Sequence, residues 1–83
     1  MTYHERQAKG SRRKQARILG YIRSYILASG YPPSLREITD ACHFSSTSVA
    51  AYNLDRLVEQ GRIERDPDIA RGIRLVEKKE DLA

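Results

Sequence analysis

The sequence has one cysteine, Cys42, so no disulfide can close within the chain. Cys42 with His4 and His43 also falls short of any zinc-ligand spacing, and it reads as a small core residue at a helix end. No apolar run approaches the ~20 residues that cross a bilayer. The N-terminus is polar and charged with no apolar segment behind it, so no secretory signal is expected and the expected compartment is the cytoplasm. There is no glycine-rich phosphate loop, paired-carboxylate site or metal-ligand spacing, and no partner is fixed beside either histidine. Neither an enzyme nor a cofactor is expected. The 83 residues leave room for one domain with one core. At about that size the net stability of a core is only a few kcal/mol.

What the chain does have is an uneven charge. Its net charge is +4, yet residues 1–24 hold seven basic side chains against Glu5 alone, a local +6, and the rest sums to −2. A basic first quarter on a nearly neutral body fits contact with a polyanion, or a merely solvated tail. Residues 1–10 lack apolar periodicity and read as a flexible basic arm, residues 11–76 as the domain, and residues 77–83 as a charged tail.

Ile18, Ile22, Tyr25 and Ser29 recur at spacings of four, three and four, with Leu19 and Ile26 widening the stripe. This predicts a first helix over 12–29, capped by Ser11 and stopped by Gly30. Tyr31-Pro32-Pro33 cannot be helix interior. Ser34-Leu35-Arg36-Glu37 is a capping-box pattern that opens a short second helix to about Cys42, with Leu35, Ile38 and Ala41 or Cys42 inward. His43-Phe44 fills a turn, with Phe44 plugging the core beside it. Ser45, Ser46, Thr47 and Ser48 offer several caps for a third helix to about Gln60. Ala50, Leu54, Leu57 and Gly61 form its inner stripe. Ser48, Tyr52 and Asp55 fall opposite, bordered by Val49, Ala51 and Arg56. After Gly61 the period becomes two: Arg62 to Arg65 and Gly72 to Val76 alternate, joined by a tip spanning about Asp66 to Arg71 around Pro67. The predicted fold is mainly α with a small β-hairpin, a three-helix winged helix-turn-helix.

Such a motif lays its second helix in the major groove of duplex DNA. The third helix here suits that role, with small residues at its N-terminal end and Tyr52 on the outer face. The hydroxyls and amides of Ser45 to Ser48 can donate to phosphate oxygens at the positive end of the helix dipole. Asp55 and Glu59 oppose binding. The positive charge must therefore come from Arg12, Arg13, Lys14 and Arg17 and from the hairpin, where Arg71 at the tip is placed to enter the minor groove and Arg74 either helps or stays solvated. The expected function is sequence-specific binding of double-stranded DNA, as a transcriptional repressor acting by operator occupancy. The alternative is a winged helix that docks proteins or RNA.

Several pieces in order carry a resemblance: Gly30-Tyr31-Pro32-Pro33-Ser34, Arg36-Glu37-Ile38, Phe44-Ser45-Ser46, Leu54-Asp55-Arg56-Leu57, Gly61-Arg62-Ile63, Arg65-Asp66-Pro67 and Arg71-Gly72-Ile73-Arg74-Leu75. From about Lys14-Gln15 to Leu75 the chain resembles the N-terminal DNA-binding domain of the LexA repressor family. The resemblance implies that Ser46, Ser48, Val49, Ala51 and Tyr52 face DNA, that Lys14 and Gln15 lie near phosphates, and that Asp68 to Arg71 form a wing near the minor groove. Some relatives carry Asn and acidic residues where this chain has Ser, Val, Ala and Tyr, so their operator is not assumed. Read as it stands, the chain stops at Ala83, without the family's serine-lysine self-cleavage dyad and dimer interface. Self-cleavage is therefore not expected of it. A homodimer through another surface, a weakly bound monomer and cooperative assembly on DNA stay open.

Overall fold

A helix extends through most of the first thirty residues: α1 runs Thr2–Ser29, starting ten residues before the predicted Arg12. The computed structural model describes the backbone of residues 2–76 and the side chains of residues 12–76. Ser11 therefore sits inside α1 and is not its N-cap, and the backbone of residues 2–10 is helical. Apolar periodicity reports a buried face, not helicity as such, and this stretch offers none. It does contain Glu5, Arg6, Gln7, Ala8 and Lys9, all good helix formers, and no proline. Extending an existing helix is far easier than nucleating one, which lets it run past Gly10.

The remaining elements follow the predicted order: α2 (Leu35–Ala41), α3 (Thr47–Glu59), β1 (Ile63–Arg65) and β2 (Ile73–Leu75). The α2 capping box is complete. Ser34 Oγ accepts from the Glu37 amide at 3.2 Å, and Glu37 Oε1 accepts from the Ser34 amide at 2.9 Å. The turn between α2 and α3 is tight. His43 takes a left-handed φ of 60°, which histidine tolerates better than most residues. The Phe44 amide returns to the Thr39 carbonyl at 3.0 Å, and the Phe44 ring packs against the core without being fully buried. Arg17 Nη1 donates to the Cys42 carbonyl at 3.1 Å, tying α1 to this turn.

Ile18 and Ile22 from α1, Ile38 from α2, and Ala50, Leu54 and Leu57 from α3 are fully buried, and Ile63 and Ile73 close the core from the hairpin. Cys42 rather than Ala41 faces inward, and burial pushes its thiol pKa up. Three polar residues, Gln15, Thr39 and Asn53, join the interior that the apolar stripes do not mark. Thr39 bonds its hydroxyl to the Leu35 carbonyl at 2.8 Å, and Asn53 donates to the Val49 carbonyl at 2.9 Å. Asn53 lies three residues after Ala50 and four before Leu57, so its spacing places it beside the core stripe.

Gly61 stops α3 with a φ of 76°, a region most side chains avoid. The hairpin is antiparallel, with Ile63 opposite Leu75, Glu64 opposite Arg74 and Arg65 opposite Ile73. Its tip is held by three backbone bonds: Asp66 amide to Gly72 carbonyl at 2.7 Å, Ile69 amide to Asp66 carbonyl at 3.1 Å, and Gly72 amide to Ile69 carbonyl at 3.1 Å. A Cβ at Gly72 would lie 2.6 Å from the Asp66 carbonyl oxygen, so this turn closes only around glycine. The charged tail predicted for residues 77–83 lies outside the described residues. Among the described residues no helix is long and apolar enough to cross a membrane.

Candidate nucleic-acid interface

α3 separates its residues by face. Ala50, Asn53, Leu54 and Leu57 are buried, while Ser45, Ser46, Thr47, Ser48, Tyr52, Asp55 and Arg56 are exposed. Tyr52 is 57% exposed. Val49 and Ala51, on the borders, are half-buried. Ser46 is the N-cap, its Oγ accepting from the Val49 amide at 3.4 Å. Ser45, Thr47 and Ser48 are left around it with no partner among the described residues. The helix thus offers solvent a narrow front of hydroxyls and small side chains, then one large aromatic a turn further on.

The acidic groups on this helix are answered locally. Arg65 Nη1 donates to Asp55 Oδ1 at 3.0 Å, and Arg56 Nη1 to Glu59 Oε1 at 3.4 Å. In the hairpin, Arg74 pairs with Glu64 across the strands. These pairs are mostly exposed, so each contributes little stability. Their effect is to cancel negative charge beside the outer face of α3. Arg56 reaches that face already paired. Arg12, Arg13 and Lys14 are exposed on α1 and have no acidic partner among the described residues.

Two predicted contacts are placed differently. Gln15 is only 6% exposed, and Gln60 Nε2 donates to its Oε1 at 3.0 Å. It lies on the α1 face that meets the end of α3, so it is largely buried rather than projecting from the surface. Arg71 does not project from the wing tip. Its guanidinium folds back onto Glu37, with Nη1 at 2.9 Å from Oε1 and Nη2 at 3.1 Å from Oε2. Nη1 also donates to the Pro32 carbonyl at 2.9 Å. The guanidinium lies 4.9 Å from the ring centre of Tyr31 and 5.8 Å from that of Tyr25. A planar fork meeting a carboxylate between aromatic faces is a geometry arginine favours strongly, and nothing local in the sequence signals a pairing across 34 residues.

Glu37 consequently accepts from Arg71, from the Ser34 amide and from the Tyr25 hydroxyl at 3.2 Å. The Arg71 fork, then the Ser34 amide, hold its pKa down from 4.5 to about 2. A carboxylate depressed in this way contributes stability above pH ~4.5 and loses it as the pH falls towards ~2. Glu37→Gln is therefore expected to flatten the pH dependence of the denaturation midpoint between about 4.5 and 2. It should also lower the midpoint at neutral pH. Parallel curves for the two proteins would show that the Arg71 contact does not carry the wing.

The model of the LexA DNA binding domain matches residues 9–72. The chain is 50% identical over 62 residues to a LexA repressor of Roseiflexus sp. (strain RS-1), covering 75% of this chain and 28% of the relative. It is 41% identical over 73 residues to that of Herpetosiphon aurantiacus, covering 88% and 34%. It is 39% identical over 75 residues to that of Limosilactobacillus reuteri, covering 90% and 36%. The chain thus spans about a third of the length of the curated relatives it matches. The matched segment holds α1 from residue 9 onward, α2, the tight turn, α3, β1 and the hairpin tip up to Gly72. The chain belongs to the LexA DNA-binding domain family.

Proposed function

We propose that the domain binds double-stranded DNA sequence-specifically, by laying α3 in the major groove, and represses transcription by covering an operator. The observation that carries this reading is the exposed front of Ser46, Thr47, Ser48 and Tyr52 on a helix whose other side is packed into the core. A major groove admits one helix, and small residues at its N-terminal end allow close approach to base edges. The family and the relatives, whose names are those of repressors, support the same reading.

Arg12, Arg13 and Lys14 supply part of the ionic affinity, since they have no acidic partner among the described residues, whereas Arg56, Arg65, Arg71 and Arg74 are all engaged with carboxylates. Arg12→Ala combined with Arg13→Ala is expected to weaken binding to all duplexes by the same factor. The log–log salt slope should fall by about 2, close to 0.9 for each phosphate no longer neutralised. An unchanged slope removes this part of α1 from the interface. Selection of duplexes from a random pool tests the whole reading. An enriched consensus supports sequence-specific binding, and a palindromic one means that two chains bind together. Retention of duplexes with no enriched sequence defeats it.

A further inference from the structure

A groove of about 540 Å³ runs between α1 and the end of α3, walled by Arg12 and Arg23 on one side and by Gln60 and Arg62 on the other, with Gln15 and Gly20 among its lining. Among the described residues no acidic side chain lines it. Arg12 and Arg62 come from different elements, and neither has an acidic partner among the described residues. Buried Gln15 spends its carbonyl oxygen on Gln60, which leaves its amide nitrogen without an acceptor among the described residues. Two guanidiniums and a fixed amide donor around one hollow are the complement of an oxyanion.

We infer that this groove seats a phosphodiester of the duplex backbone, next to the bases that α3 faces. The inference rests on the proposed DNA reading and adds Arg62 and Gln60 to it. The position of the groove favours a backbone phosphate. Gln60 follows Arg56 by one helical turn, and Arg56 borders the outer face of α3. A strand passing along that border reaches the groove next. Arg62 supplies charge and a forked donor, and Gln15 supplies a donor that needs no reordering on binding. Arg62 thus takes a role that the paired Arg65 and Arg71 cannot fill without breaking their carboxylate contacts.

Arg62→Ala tests this in the full chain, since Arg62 is exposed and its loss leaves the core intact. Affinity for the selected duplex and for a random duplex should fall by the same factor, and the salt slope should shrink by about 1. Arg62→Lys should restore the slope, because the charge returns. The side-chain amide resonances of Gln15 should shift on titration with random duplex. If wild-type protein binds DNA with its sequence preference and the Arg62→Ala slope is unchanged, the seat is overturned while the DNA reading stands. The seat is equally overturned if inorganic phosphate shifts the Gln15 amide and duplex does not, which would make the groove a site for free anions. If wild-type protein binds no duplex, both readings fall together.

Discussion

Tyr52→Ala should lower affinity for the preferred duplex by about 1–3 kcal/mol, or roughly fivefold to more than a hundredfold, and leave random-duplex affinity nearly unchanged. The side chain is more than half exposed at the middle of α3, on the side away from Leu54 and Leu57, and among the described residues it touches no other element through a hydrogen bond or ring contact. Its removal therefore disturbs little in the free domain. An effect on binding must come from what the ring and hydroxyl meet in the groove. The measurement is the ratio of the two dissociation constants at one fixed salt concentration, because salt moves both. A ratio equal to that of the wild type would place the reading of bases on some other surface.

Leu54→Ala is expected to act on the opposite face of the same helix and with larger effect. Leu54 is fully buried in the cluster with Ile18, Ile22 and Ile38. Truncating such a leucine costs about 2–5 kcal/mol, as forfeited transfer energy plus the cavity left behind. A core of this size supplies a net stability of only a few kcal/mol. The variant should thus be largely unfolded at room temperature, or melt far below the wild type. Specific DNA at high concentration should recover part of the deficit by mass action. A thermal melt within a few degrees of the wild type would mean that neighbouring side chains fill the space, and that the core is looser than its burial implies.

The difference between these two outcomes mirrors what is legible in the sequence. The inner stripe of α3, the capping box at Ser34, the turn at His43 and the hairpin strands are all visible as spacings of three, four or two, because each repeats a local geometry. The outer face of α3 follows as the complement of its inner stripe. The early start of α1 is hidden because residues 2–10 carry helix formers without an apolar face. Gln15 reads as polar and so as exposed, yet the α1 stripe turns it towards Gln60, 45 residues away. Arg71 is hidden for the same kind of reason. A charged residue at a loop tip looks free until the partner 34 residues upstream is brought to it by the fold. Long-range polar pairs leave no periodic trace, whereas apolar faces do.

The grip of Glu37 on Arg71 has a consequence beyond stability. One carboxylate closes the first turn of α2 and holds the end of the hairpin, so the wing cannot swing without loosening the start of the helix that leads into the α2–α3 turn. The spacing between wing and α3 is thereby set like the jaws of a fixed gauge. In the proposed DNA complex little ordering entropy would then be left to lose on docking, and duplexes whose groove dimensions differ from that gap would be penalised even where no base is touched.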